Sequence, residues 1–231
     1  MLSVVIPIYN EKNNIIELVK RIERNLNDVE YEIIFVDDSI DETTNIILEL
    51  ANKDRRVKLK HRENKRGLSS AVIDGFYIAS GDIIAVMDGD LQHPPEILKQ
   101  MLEEIYRGAD IVIPSRFVNG GSDGGLNLFR KFVSASARYM GKILFKKLRR
   151  VSDPTSGIFM IKKSILSGAK LKPIGWKILM EILVLCNYNK LIEVPYTFDT
   201  RNSGKSKMSA TVQIQYIGQL MSLFVRSKIK A

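Results

Sequence analysis

Two short apolar runs in this chain each end in a pair of carboxylates. Tyr31 to Val36 runs into Asp37-Asp38, and Ile83 to Met87 runs into Asp88-Gly89-Asp90, then Leu91-Gln92-His93-Pro94-Pro95. Runs of this length, bounded by turn residues and prolines, read as buried strands. In an open parallel sheet ligands bind at the carboxyl ends of strands, so both acidic pairs stand where a ligand would be met. Asp88 and Asp90 repel each other unless a cation or donors lie between them. A hard cation such as Mg²⁺ suits them, since it takes one or two carboxylates and completes its shell with water and substrate phosphates. Gly89 lets the backbone approach a ligand closely. An isolated Asp-x-Asp also reads as an Asx-type turn closing a strand, so the rest of the chain has to decide.

That remainder alternates. Leu2 to Ile8 reads as a buried first strand, with Asn10 placed to cap a helix carrying Ile15, Leu18, Val19 and Ile22 at helical spacing. Helices are expected from Asp41 through Leu50, from Gly67 through Ala79 and from Glu96 to Tyr106, with strands at Val57–Leu59 and Ala109–Pro114. Strands alternating with helices give an α/β fold, a mostly parallel sheet with right-handed crossovers. Gly-x-Gly-x-x-Gly does not follow the first strand and Gly-x-x-x-x-Gly-Lys-Ser/Thr is absent, which argues against a dinucleotide enzyme or a P-loop nucleotidase.

Beyond Arg116 the pattern changes. Asn119 to Gly125 is a Gly-rich linker or lid. Leu126 to Leu148 and Met208 to Val225 read as amphipathic helices rich in Lys and Arg, suited to an anionic interface or, equally, to docking on the sheet with the basic side in water. Asp153 to Gly157 is a turn before a strand Ile158–Ile161; Lys177 to Cys186 is a buried helix apolar but for Glu181, and Leu191–Val194 a last strand. Glu181 is expected to be structural, or to orient a cation such as Lys177 or Arg201. Residues 1–125 hold 15 Lys and Arg against 22 Asp and Glu, residues 126–231 hold 20 against 4, and the chain as a whole is +9. The basic half therefore suits phosphates, nucleic acid or a membrane surface. No apolar stretch reaches bilayer-spanning length, Met1 leads into a strand with no leader pattern, and the lone Cys186 implies a reducing compartment. A cytoplasmic protein, soluble or peripheral on a membrane, is expected.

Several blocks together resemble family 2 glycosyltransferases. They are Val5-Ile6-Pro7-Ile8-Tyr9-Asn10-Glu11, Val36-Asp37-Asp38-Ser39 and Met87-Asp88-Gly89-Asp90-Leu91-Gln92-His93-Pro94. Gly67-Leu68-Ser69-Ser70-Ala71-Val72, Ser115-Arg116-Phe117, Asp153-Pro154-Thr155-Ser156-Gly157 and Pro173 to Leu179 narrow the likeness to the dolichyl-phosphate mannose synthases and related polyprenyl-phosphate glycosyltransferases. The resemblance covers nearly the whole chain. It implies a GT-A fold in one catalytic domain over 1–231, with 1–118 as the nucleotide-sugar and metal half and 126–231 as the acceptor and membrane-facing half. It also implies Mg²⁺ or Mn²⁺, a nucleotide-sugar donor (GDP-mannose, or alternatively a UDP-sugar) and a polyprenyl or dolichyl phosphate acceptor at the cytoplasmic face of a membrane.

Carried over by position, Pro7, Tyr9 and Glu11 would hold the nucleobase region with Val36 and Asp38 beside them. Asp88, Asp90 and Gln92 would hold the metal, within the ligand-binding turn that Met87 and Gly89 complete. Arg116, Lys177, Arg201 and Lys207 would surround the phosphates, with Arg130 joining them; Asp90, Arg116, Arg201 and Lys207 are the expected catalytic set. The chain departs from the family where Val36-Asp37-Asp38-Ser39-Ile40-Asp41 lacks the usual Gly-Ser-Pro-Asp and where Gly89 replaces Ala. Neither change removes a carboxylate, so both bear on donor choice. Many relatives carry membrane spans after this domain, so this chain is expected to meet lipid through its own helices or a membrane-anchoring partner. The rivals are a nucleotidyltransferase, which would carry a Gly-rich phosphate loop where Asn10-Glu11 stand, and a nucleic-acid-binding module. Few aromatics interleave with the basic residues and the acidic strand ends repel phosphate without a metal, so no nucleic acid partner is expected.

Overall fold

The computed structural model describes all residues except 64, 123, 125–127, 173–174, 176, 199–209 and 230–231, and also excludes the side chains of 128–134 and 210–215. Among the described residues a seven-stranded sheet forms the middle layer. In chain order its strands are β1 (Leu2–Ile8), β2 (Tyr31–Asp37), β3 (Val57–His61), β4 (Ile83–Val86), β5 (Ile111–Ser115), β6 (Phe159–Lys162) and β7 (Leu191–Pro195), and across the sheet they lie β3-β2-β1-β4-β6-β5-β7. The helices are α1 (Ile15–Asn25), α2 (Thr43–Lys53), α3 (Leu68–Ile78), α4 (Ile97–Tyr106), α5 (Leu128–Leu144), α6 (Ile178–Leu185) and α7 (Ala210–Ile229).

Strand periodicity decides the layers. In β1, Leu2, Val4, Ile6 and Ile8 face a core shared with Leu18 and Ile22 of α1, Ile47 of α2 and Leu98 and Met101 of α4. Val5 faces the opposite core, with Val72 and Phe76 of α3, Ile182 and Leu183 of α6 and Tyr216, Leu220 and Leu223 of α7. Successive side chains of a strand point to opposite faces, so a sheet apolar on both faces needs helices on both sides. Gly75 of α3 is required here, because a Cβ would stand 2.3 Å from Val5 Cγ1.

Strands β1 to β4 are parallel, in the registers Leu2↔Tyr31 to Ile8↔Asp37 and Leu2↔Ile83 to Val5↔Val86. Strand β6 is antiparallel to both β4 and β5, while β5 pairs with β7 in parallel. The sheet is therefore mostly parallel, as the α/β alternation predicts, with one reversed strand inside it. Reversal has a consequence for the site: the segment leading into β6, residues 153–158, lies at the same edge as the carboxyl ends of β4 and β5.

Local details differ from the sequence expectations for identifiable reasons. Asn10 does not cap α1, which begins at Ile15 after Asn14. Its backbone is left-handed (φ 54°), which Asn tolerates better than most residues, and its Oδ1 accepts from Ile40 N at 3.0 Å. The basic helix ends at Leu144 rather than Leu148, because Phe145 is extended and buries its ring ahead of a short 3₁₀ turn, Lys146–Arg150. In α7, Tyr216, Leu220 and Leu223 are buried, whereas Ile217, Met221 and Val225 are more than half exposed.

Candidate active site

The acidic turn after β4 is built on a glycine. A Cβ at position 89 would stand 2.2 Å from Ile8 Cδ1, so the close approach that Gly89 permits is to β1. Met87, also expected beside the ligand, is fully buried in the core, its N–H bonded to the Val5 carbonyl at 3.2 Å. Asp90 is buried and its Oδ1 accepts from Gln92 N at 3.1 Å; the turn is locally an Asx turn as well as a carboxylate pair. Asp88 is more open, with Oδ2 3.5 Å from His93 Nε2. His93 is buried, stacked on Tyr196 and edge-on to Phe198, with Nδ1 3.2 Å from the Tyr196 hydroxyl. Burial pushes the Tyr196 phenol well above its ordinary pKa, so it stays protonated and pairs with Nδ1, while the ring turns Nε2 towards Asp88.

The turn before β6 closes over this carboxylate. A Cβ on Gly157 would lie 2.6 Å from Asp88 Oδ2 and 3.2 Å from His93 Nε2. In the same turn Asp153 is fully buried and accepts from Thr155 Oγ1 at 3.0 Å. It also accepts from Arg116 Nη2 at 3.1 Å. Lys177 Nζ donates to Thr155 O at 2.8 Å. Burial lowers the Lys177 pKa most, the Asp153 and Asp88 carboxylates act to raise it, and the net shift is downward. The Arg116 guanidinium lies 5.0 Å from the Phe198 ring centre, and its Nε is buried with no hydrogen-bond partner. Arg138 Nε is likewise buried and unpartnered, its guanidinium 3.9 Å above Phe117.

The second acidic pair is spoken for. Asp37 is fully buried and accepts from Thr44 Oγ1 at 2.6 Å and Ser39 N at 2.9 Å, with His61 Nδ1 at 3.0 Å. Asp38 is held bidentately by Arg62, Nε to Oδ1 at 2.7 Å and Nη2 to Oδ2 at 2.6 Å. Arg62 also reaches Asp74 at 3.2 Å and the Gly67 carbonyl at 3.2 Å. Arg62 was absent from the expected set. Its signal lies in the strand register, since β2 and β3 pair Asp37↔His61 and so set residue 62 opposite residue 38. Pro7 and Tyr9 are half-buried at the end of β1, with the Arg66 guanidinium 4.6 Å over the Tyr9 ring and Arg66 Nη2 2.6 Å from its hydroxyl. Glu11 accepts from Asn14 Nδ2 at 2.8 Å. Val36, also expected there, is fully buried in the core, paired with Pro7 and Lys60 in the sheet.

A model of the family described as glycosyl transferase family 2 matches residues 3–168. The chain belongs to glycosyl transferase family 2. Among curated relatives it is 46% identical to the dolichol-phosphate mannosyltransferase of Pyrococcus furiosus, with 96% of this chain and 63% of that protein aligned; the chain thus spans less than two thirds of that relative's length. It is 37% identical to the dolichol-phosphate mannosyltransferase of Saccharomyces cerevisiae, over 96% of this chain and 86% of that one. Among solved structures, glucosyl-3-phosphoglycerate synthase from Mycobacterium tuberculosis, in complex with Mn²⁺, UDP-glucose and phosphoglyceric acid, superposes with a TM-score of 0.75. That match has 20% identity and covers 97% of this chain and 80% of that one; it shows that the two share the GT-A fold.

Within this family 2 domain, the expected site residues divide. The structure brings Asp88, Asp90, Gln92, Arg116 and Lys177 to one edge of the sheet, around the 153–157 turn. His93, Asp153, Thr155, Tyr196 and Phe198 join them there; the first three lie in the motif blocks without an assigned role, and the pairings His93–Tyr196 and Arg116–Asp153 join residues 103 and 37 positions apart. Arg201 and Lys207, and the side chain of Arg130, lie outside the described residues. No three His, Cys, Asp or Glu residues among the described residues converge as a metal cluster. The turn instead carries two carboxylates and an amide, oxygen groups of the kind that a hard divalent cation shared with phosphates would take. Glu181 is structural: it is fully buried, paired with Arg226 and accepting from Lys172 N at 2.8 Å. Among the described residues its cation is Arg226, not Lys177.

Proposed function

We propose that this chain is a metal-dependent inverting glycosyltransferase that moves mannose from GDP-mannose onto dolichyl or another polyprenyl phosphate. The observation that carries the reading is a shared wall: the 153–157 turn touches Asp88 on one side and is gripped by Arg116 and Lys177 on the other. Asp88, Asp90 and Gln92 would hold Mg²⁺ or Mn²⁺, which, when bound, neutralises charge developing on the leaving nucleoside diphosphate as a Lewis acid. Arg116 and Lys177 orient phosphate oxygens beside it, and the unpartnered Arg116 Nε is a donor that an anion would satisfy. Pro7, Tyr9 and Glu11 bound the nucleobase region, with Asp38 and Arg62 shaping its wall. Arg201 and Lys207 are assigned to the phosphates on family resemblance. An acceptor phosphate is already a nucleophile, so it needs cations to orient it and no base. In keeping with that, the buried carboxylates Asp153 and Glu181 are committed to Arg116 and Arg226.

The same reading divides the chain into a donor half, 1–118, and an acceptor half, 126–231, peripheral on the cytoplasmic face of a membrane. No helix among the described residues is long and apolar enough to cross a bilayer. Tyr139 and Ile143 of α5 and Ile217, Met221 and Val225 of α7 are exposed apolar side chains, placed to seat on lipid directly or against a membrane-anchoring partner. A transfer assay tests the activity, pairing radiolabelled GDP-mannose or UDP-glucose with a short polyprenyl phosphate, with Mg²⁺, Mn²⁺ or chelator. Mannosyl-lipid formed only with a divalent ion is expected. Transfer from UDP-glucose in preference, or to a hydroxyl acceptor, would overturn the assignment.

A further inference from the structure

Gln219 has no place in the chemistry outlined above, yet it is 1% exposed on the inner face of α7. Its Nε2 donates to the Lys177 carbonyl at 3.2 Å, while its Oε1 is buried without a hydrogen-bond partner. An unpartnered buried acceptor is costly, and an apolar side chain of the same length would avoid it. The amide N–H must therefore do something the helix needs. Its target is Lys177, the residue just before α6, which sends Nζ to the Thr155 carbonyl. Gly175, two residues earlier, is left-handed (φ 72°), and a Cβ there would lie 2.7 Å from Gln219 Oε1. The Gly175 carbonyl in turn accepts from Ser69 Oγ of α3 at 2.7 Å. The backbone that carries Lys177 is thus held from two sides, by α3 and by α7.

We propose that Gln219 is a positioning residue for the transfer reaction, acting through Lys177 and setting where its ammonium stands over the 153–157 turn. The inference rests on the phosphate role given to Lys177 above. Loss of one neutral hydrogen bond that holds the backbone carrying Lys177 corresponds to a fall in rate of up to about tenfold.

A double-mutant cycle tests it, with Gln219→Met, Lys177→Met and the pair, using the full chain, GDP-mannose and a short polyprenyl phosphate. Gln219→Met removes the unpartnered oxygen and keeps the length of the side chain, so its thermal midpoint is expected to match or exceed the parent's. Its kcat/KM should fall by up to about tenfold, and the double variant should be no slower than Lys177→Met alone, because coupled sites are non-additive. Additive losses, or a Gln219→Met enzyme within twofold of the parent beside an impaired Lys177→Met, would sink the coupling and leave the phosphate reading standing. A Lys177→Met enzyme with parental transfer would overturn that reading and this inference together.

Discussion

Arg116, just past the end of β5, and Asp153, in the turn before the reversed strand β6, meet at 3.1 Å with the carboxylate fully buried. Neither the separation of 37 residues nor their flanks announces the pair. It exists because β6 runs against β5, which brings the start of one strand to the end of the other.

Breaking this pair from one side should leave a buried guanidinium uncompensated. Asp153→Ala is expected to lower stability by about 3 kcal/mol and to reduce transfer. The double substitution Arg116→Met with Asp153→Leu should recover much of the stability and none of the transfer. Urea unfolding and the transfer assay on the same preparations separate the two effects; recovery of transfer in the double variant would refute a phosphate role for Arg116.

Asp90→Asn keeps the oxygen that accepts from Gln92 N, so the turn should persist and only the charge is lost. Turnover is expected to fall by about two to three orders of magnitude, the scale of removing one main electrostatic stabiliser of a transition state. Near-normal turnover at saturating Mg²⁺ or Mn²⁺ would remove Asp90 from the metal site.

Vesicle association should depend on the outward face of α7. The chain is expected to float with anionic vesicles at low salt and to dissociate as salt rises, since screening weakens attraction between exposed charges. Ile217→Asp with Met221→Asp, both more than half exposed, should abolish flotation while leaving the thermal midpoint close to the parent's. Flotation unchanged in that variant would place the lipid contact elsewhere.

Glu32 provides a pH-dependent contribution to stability at the far edge of the sheet. Burial acts to raise its pKa, but Lys58, the Ser3 hydroxyl and Ser80 N outweigh it and hold the carboxyl below its ordinary value. A folded pKa below the unfolded one stabilises above the unfolded value, and that stability is lost as pH falls through the folded pKa. Glu32→Gln should therefore destabilise clearly at about pH 7 and progressively less towards about pH 3. Urea midpoints of the two proteins across that range provide the check; a gap that widens on acidification would contradict it.

The sequence by itself determined the layers and the acidic edge. Apolar runs of strand length alternating with helical periodicity admit only a sheet covered on both faces, and an Asp-Gly-Asp two residues past a buried strand has to emerge at the sheet's ligand-binding edge. Those are consequences of local pattern, legible within a window of ten or so residues, whereas the metal role proposed for Asp88 and Asp90 also drew on the motif blocks spread along the whole chain. What the carboxylates would face was decided by the tertiary structure alone. The reversal of β6 set Gly157 against Asp88 and Asp153 against Arg116, and the β2–β3 register set Arg62 on Asp38. The packing of α7 on α6 put Gln219 on Lys177 and Arg226 on Glu181. Each of these pairs joins residues 24 to 69 positions apart, and a charged or amide side chain reads the same in sequence whether it meets water or a buried partner. Only the fold brings the partners within hydrogen-bond reach and removes the water that would otherwise satisfy them.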